Sequence, residues 1–179
     1  MKFGIDYFPD AHPGVKPGSR YFEEALDLVE YADELGYDSV KIVEHYFMPY
    51  GGSAPDPCRF LAAASQRARR MRLVTGAVLP VFNHPLKLAG QLTMLDAISG
   101  GRLDVGIARA FLPYEFDAFG ISMEERRARF EDVAKQLTYI RDTFGEVYPS
   151  FQINFGMMEK VKARRSIELF AKHVMPQFR

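Results

Sequence analysis

Short β-rich runs alternate with amphipathic helical runs along most of the chain, and this alternation restricts the possible folds more than any other feature. The β-rich runs are centred near Phe3, Val40, Leu73 and Leu103. Each interval is close to the length of one right-handed βαβ crossover. The sequence therefore predicts an α/β fold with parallel strands. The predicted strands are 2–8, 38–43, 72–79 and 102–108, and the predicted helices are 19–35, 56–70, 85–98 and 122–143.

Within the second and third predicted strands, the runs 40–43 and 73–79 are too apolar to leave one face in water. Such runs are typical of parallel strands buried between a core and covering helices, and they disfavour an antiparallel sandwich. The first helix is amphipathic, with one apolar stripe and one acidic face. The predicted stripe is Phe22, Ala25, Leu26, Val29 and Leu35, and the predicted solvent face is Glu23, Glu24, Asp27, Glu30 and Asp33.

Residues that favour helix ends support these boundaries. Gly36 follows the first helix as a C-terminal stop, and Asp56 followed by Pro57 predicts an N-cap with proline at the first helical position. Ser122 and Glu125 have the spacing of a capping box, in which each side chain accepts a bond from the other residue's backbone N–H.

After the fourth helix, segment 150–155 predicts a strand and 158–174 a final basic helix, which gives five βα units in one domain, 1–179. Residues 1–143 carry the first four units, and 150–179 carry the final strand and helix. A closed (β/α)8 barrel typically needs about 250 residues. Two arrangements remain, an open doubly wound sheet or a partial (β/α)8 barrel completed by a second subunit.

The charge balance and cysteine content exclude several classes of partner. Lys and Arg together number 23, as do Asp and Glu, so nucleic acid and anionic membranes are not predicted partners. The lone Cys58 cannot form an intramolecular disulfide, and no His, Cys, Asp or Glu pattern has metal-ligand spacing. No apolar run has membrane-spanning length. We therefore expect a cytoplasmic protein without a metal site.

Ligands of parallel βα folds bind beyond the carboxyl ends of the strands. His45 follows the second strand and is the candidate for proton transfer, with Glu44 as the neighbour that would orient it. The alternative is a histidine bonded only to loop backbone. Arg109 follows the fourth strand and could hold a phosphate, or instead pair with Glu115 or Asp117.

Two other features of these loops have structural interpretations. His84 precedes Pro85 and is predicted to be a helix N-cap. Gly100-Gly101 lies before a strand and lacks phosphate-loop spacing, so it predicts a turn.

Several motifs occur in a fixed order along the chain and extend almost without interruption to about residue 141. They are Met1-Lys2-Phe3-Gly4, Val43-Glu44-His45-Tyr46-Phe47, Val78-Leu79-Pro80 with His84-Pro85, the run 95–109, Phe116-Asp117-Ala118-Phe119-Gly120, Asn154-Phe155-Gly156 and the run 165–176. Together they resemble the bacterial-luciferase-like family of flavin-dependent monooxygenases. The run 165–176 resembles the final helix of that family, and the middle of the family barrel is missing, with the junction between 143 and 150.

The resemblance implies a (β/α)8-type fold that binds reduced FMN, or the deazaflavin F420 in one branch, at the carboxyl ends of the strands. It implies a homodimer formed through the second and third helices. It also implies a separate flavin reductase, with O2 and an organic small molecule as the substrates of a monooxygenase.

By resemblance, His45 is the acid/base residue and Arg109 contacts the flavin phosphate. Thr75-Gly76 aligns with an unusual backbone bond beside the isoalloxazine, and Ala108 lies against that ring. Two alternatives to the FMN-dependent monooxygenase stay open. One is a truncated, non-catalytic flavin-binding or dimerisation module, and the other is an F420-dependent oxidoreductase.

Overall fold

Parallel strands in chain order form the centre of the molecule. The computed structural model describes residues 2–12, 14–132 and 160–173. The strands are β1 (Gly4–Tyr7), β2 (Ser39–Ile42), β3 (Arg72–Val78) and β4 (Leu103–Ile107). The helices are α1 (Gly18–Glu34), α2 (Pro57–Arg67), α3 (Pro85–Ser99), α4 (Pro113–Phe119), α5 (126–132) and α6 (Lys160–His173), with short 3-10 turns at Pro80–Phe82 and Met123–Glu125.

The strand order is β1-β2-β3-β4, and every neighbouring pair is parallel. A doubly wound sheet would place a switch point in this order and helices on both faces. Here the order has no switch, and α1, α2 and α3 contribute to a single core on one face. The α/β prediction is confirmed, and the sheet is an open segment of a (β/α)8-type barrel.

The two faces of the sheet differ in chemistry. One face carries Ile5, Val40 and Leu73, which are fully buried in the core beneath the helices. The opposite face corresponds to a barrel interior and carries ion pairs between neighbouring strands. Lys41 Nζ lies 2.9 Å from Asp6 Oδ2, and Arg72 Nη2 donates to Asp104 Oδ1 over 2.6 Å. Alternation along each strand therefore separates an apolar helix side from a polar inner side.

Most predicted helix ends are confirmed. Gly36 has a φ of 82° just after α1, and the Asp56 side chain accepts from Arg59 N at the start of α2. The turn predicted at Gly100-Gly101 directly follows α3, where Gly100 has a φ of 69°. His84 is the N-cap residue of α3, although its side chain forms no capping bond.

The capping-box prediction at Ser122 is wrong in its geometry. The Ser122 hydroxyl accepts from Glu124 N over 3.2 Å, and the Glu125 carboxylate pairs with Arg129 one turn later. A 3-10 turn at Met123–Glu125 precedes α5, which shifts the first donor by one residue. The remainder of the predicted helix 122–143, beyond residue 132, lies outside the described residues.

Asp33 was predicted to face solvent, and this prediction is wrong. The side chain is buried and accepts from the backbone N–H groups of Arg69, Arg70 and Met71 over 2.9 to 3.1 Å. The helical stripe could not reveal this role because the donors come from the distant turn between α2 and β3. Asp33 thereby holds the turn that leads into β3 against the end of α1.

The last described helix returns to the first. Lys160 Nζ lies 2.6 Å from Asp27 Oδ2, and Tyr31 Oη donates to Glu168 Oε1 over 2.6 Å. The eighth helix of a (β/α)8 barrel lies beside the first in the same way, because the ring of helices closes there. The predicted strand 150–155 and the junction between 143 and 150 lie outside the described residues.

None of the described helices is both long enough and apolar enough to cross a bilayer. In the described part of the chain, no three His, Cys, Asp or Glu side chains are grouped to hold a metal ion.

Asp33→Ala should lower the free energy of unfolding by about 2 to 4 kcal/mol, because it leaves backbone donors without their carboxylate. Glu34→Ala, at an exposed neighbouring position of α1, should change it by less than about 0.5 kcal/mol. Urea unfolding followed by circular dichroism measures both values. Equal stabilities of the two variants would contradict the role of Asp33.

Candidate functional site

The loops that follow β1, β2 and β4 meet at one end of the sheet. The ring of Phe8, just after β1, lies 5.7 Å from the His45 ring after β2, measured between centroids. The Phe111 ring, beyond β4, lies 6.3 Å from the same imidazole. Parallel pairing in register brings these loops together, because all carboxyl ends of the strands point to the same edge.

His45 is held by a carboxylate from α4. Its Nδ1 lies 3.0 Å from Glu115 Oε1, and the same oxygen accepts from Tyr46 N over 3.1 Å. Glu115 is completely buried, and its Oε2 has no partner in the described structure. A carboxylate at Nδ1 favours the tautomer with the proton on that nitrogen, which leaves Nε2 as the nitrogen able to accept a proton.

The prediction that Glu44 orients His45 is wrong. Glu44 accepts from Leu79 N over 2.8 Å, from the Asn83 amide over 2.9 Å and from the Tyr46 hydroxyl. Successive residues of an extended segment point to opposite sides, so two adjacent side chains rarely face each other. Glu44 therefore joins the loop after β2 to the turn after β3.

Burial raises the pKa of Glu44 to about 7, although the hydrogen bonds from Tyr46, Leu79 and Asn83 act to lower it. The carboxyl group is thus poised near neutral pH inside the protein, where charge is poorly solvated. Because its bonds go to the loop after β2 and the turn after β3, Glu44 holds these two segments together and does not contact His45.

Glu115 and the whole of α4 were not predicted as parts of the site. The signal was present, because Pro113 occupies the first turn of α4 and Gly120 ends it with a φ of 63°. Proline at the start and glycine just past the end mark even a short helix. The pairing of Glu115 with His45 spans 70 residues and could not be read from local spacing.

Arg109 is exposed at the end of β4, and no ion pair in the described part of the chain includes it. The alternative of a pair with Glu115 does not hold, because that carboxylate faces His45. A guanidinium at a strand end is available to an anionic group such as a phosphate.

The backbone of β3 has an unusual feature near the predicted position. The peptide bond between Gly76 and Ala77 is cis, one residue beyond the predicted Thr75-Gly76 bond. The Thr75 side chain is buried, and its hydroxyl both donates to Gly106 O and accepts from Gly106 N over 2.9 Å. Thr75 is completely buried, so it holds β3 against β4 and offers no surface to a ligand.

Small residues line the strand ends next to this bond. Gly76, Ala77 and Ala108 are partly exposed, and Ala108 N donates to Val78 O over 3.1 Å, which holds β4 against the end of β3. The Lys41 side chain occupies the space where a Cβ of Gly76 would lie, so the glycine is required by that close approach. The small side chains of Ala77 and Ala108 leave room for a flat ring, and Arg109 adds a positive charge one residue after Ala108. These residues fit a planar cofactor that carries a phosphate, as FMN does.

The comparisons with known proteins point to one family. Residues 1–157 match the family described as luciferase-like monooxygenase. Monooxygenase RslO1 from Streptomyces bottropensis is 64% identical with a TM-score of 0.75, over 76% of this chain and 42% of RslO1. The oxygenating constituent of 3,6-diketocamphane monooxygenase from a Pseudomonas putida plasmid, solved with FMN, is 26% identical with a TM-score of 0.68, over 80% of this chain and 39% of that one.

Curated relatives include proteins named for either cofactor. The oxygenase component of flavin-dependent trigonelline monooxygenase from Acinetobacter baylyi is 38% identical over 117 residues, which are 65% of this chain and 32% of that protein. An F420-dependent glucose-6-phosphate dehydrogenase from Amycolatopsis mediterranei is 30% identical over 136 residues, 72% of this chain and 39% of that protein. The chain thus spans about a third of the length of these curated relatives. With a family match over most of its residues and this strand order, the chain belongs to the luciferase-like monooxygenase family.

Proposed function

We propose that this chain binds FMN and oxygenates an organic substrate with reduced flavin and O2. The observation that carries the proposal is the buried bond between His45 and Glu115, because it places an oriented imidazole at the strand ends where the family is expected to bind its cofactor. The FMN in the solved diketocamphane relative supports this choice of cofactor.

In this proposal each residue has one physical role. Arg109 holds the phosphate, while Ala108 and the partly exposed backbone of Gly76 form the surface against the ring system, and the buried Thr75 supports that surface from behind. Bound flavin supplies the redox chemistry. His45 moves a proton at Nε2, and Glu115 fixes the orientation of the imidazole.

Two relatives are named as the oxygenase component or oxygenating constituent of a larger system. A separate reductase that delivers reduced flavin therefore belongs to the proposal, as does a cytoplasmic location, where reduced cofactors are available.

A homodimer also belongs to the proposal. The outer face of α3 exposes Leu86, Met94 and Ile98, which are spaced along one side of the helix. Exposed large apolar side chains in a row are typical of a protein interface.

The second candidate is an F420-dependent oxidoreductase, which the Amycolatopsis relative favours. The third is a non-catalytic module that keeps the α3 face but takes up no cofactor.

FMN should bind saturably, and Arg109→Ala should weaken binding by about 1.5 to 3 kcal/mol, the usual contribution of a hydrogen bond to a charged group. Arg69→Ala removes the same charge at the opposite end of β3 and should leave affinity unchanged. Calorimetric titration with FMN and with F420 measures these affinities. Tighter binding of F420 would favour the second candidate, and uptake of neither cofactor would favour the third.

Glu115→Ala should move the neutral His45 ring toward the Nε2-protonated tautomer, because the acceptor at Nδ1 is gone. Glu44→Gln changes an adjacent carboxylate that does not contact the imidazole, and it should preserve the original tautomer. Nitrogen-15 NMR of the histidine rings distinguishes the tautomers. The same tautomer in both variants would remove Glu115 from the proposed mechanism.

Met94→Glu should convert the dimer to a monomer, because it places a charge in the centre of the α3 face. Glu124→Gln, on the exposed turn before α5, provides the control. Sedimentation velocity measures the size of each variant. A wild-type chain that is monomeric at micromolar concentration would contradict the proposed dimer.

A further inference from the structure

Rings from separate loops surround the imidazole of His45. Phe8 follows β1, Tyr50 lies in the loop after β2, and Phe111 lies between β4 and α4. Their centroids lie 5.7, 5.2 and 6.3 Å from the His45 ring, respectively. We refer to Phe8, Tyr50 and Phe111 as the aromatic wall. Because its members come from three different chain segments, the wall is a product of the fold.

The rings of the aromatic wall meet edge to face. Tyr50 lies 4.8 Å from Phe8 at an interplanar angle of 84°, and 6.3 Å from Phe111 at 90°. Perpendicular rings form a corner in which a planar guest can stack on one ring and meet the edge of another. Tyr50 is 45% exposed and Phe111 54% exposed, so ring surface is available to a ligand. This geometry favours a flat aromatic guest over a flexible aliphatic one.

The polar groups around the aromatic wall further restrict the kind of ligand that can bind there. The three side chains of the wall are aromatic and include no acidic or basic residue, and the nearby carboxylate of Glu115 is directed at His45 Nδ1 and Tyr46 N. The polar atom that His45 can offer to a ligand is Nε2, which accepts a hydrogen bond when Nδ1 carries the proton. A hydroxyl group on an aromatic ring is the complementary donor.

We propose that the aromatic wall binds the ring of a hydroxylated aromatic substrate, whose hydroxyl group donates a hydrogen bond to His45 Nε2. This inference rests on the proposed function, because it takes His45 as the residue that faces the substrate. It adds the substrate class and names Tyr50 and Phe111 as the residues that determine specificity.

The first test compares 2-naphthol with decahydro-2-naphthol, its saturated analogue, by isothermal calorimetry on the full chain. The two probes share a hydroxyl group and a similar size, and only the first is aromatic. We expect 2-naphthol to bind saturably and at least about 5-fold more tightly, from the extra stability of aromatic pairs. Equal dissociation constants would overturn the proposal.

Substitutions within the wall identify the surface. Tyr50→Ala and Phe111→Ala should each raise the dissociation constant of 2-naphthol roughly 3- to 10-fold, while Tyr50→Phe keeps the ring and the affinity. Phe47→Ala removes a more exposed ring of the same loop, 83% exposed, that does not contact His45, and it should have no effect. Unchanged affinity in both alanine variants would overturn the assignment.

A parallel FMN titration separates this proposal from the proposed function. FMN binding without 2-naphthol binding would refute the substrate class and leave the proposed cofactor in place. Binding of 2-naphthol that depends on Tyr50, without FMN uptake, would support the aromatic site and refute the flavin function. Competitive displacement of 2-naphthol by FMN would show that the wall holds the flavin ring, which overturns the proposal.

Discussion

Parallel pairing of the strands in chain order is the constraint on which the rest of the structure depends. Because β1 to β4 run in one direction without a switch point, every loop after a strand opens at the same edge. His45 and Phe111 are far apart in sequence and still share that edge. The same pairing separates an apolar side, covered by α1, α2 and α3, from an inner side where Asp6 pairs with Lys41. The site is thus a consequence of strand direction.

The sequence predicted elements whose signals are local. The four strands and the first three helices follow from apolar periodicity and from end residues such as Gly36 and Asp56, and the structure confirms them to within a few residues. Contacts between segments that are distant in sequence could not be predicted from local patterns. Asp33 is acidic on a mostly wet face, yet it is buried because three backbone donors from the turn before β3 require an acceptor.

The candidate site shows the same division. Position after a strand correctly singled out His45 and Arg109 as residues at the carboxyl edge. The partner of His45 was misassigned because sequence proximity favoured Glu44, whereas backbone alternation turns Glu44 toward Leu79 and leaves Glu115 to reach the imidazole from α4. Pro113 at the start and Gly120 at the end are local signals of α4, the helix that carries Glu115.

Two edges of the structure differ in how they are bonded: the contact between α6 and α1, and the free side of β4. At the first edge, Lys160 of α6 forms an ion pair with Asp27 of α1, and Glu168 of α6 accepts a hydrogen bond from Tyr31 of α1. The second edge is the side of β4 that faces away from β3, which has no strand partner among the described residues. Further βα units of a longer (β/α)8 barrel would continue from this free side of β4, at a distance from the contact between α6 and α1.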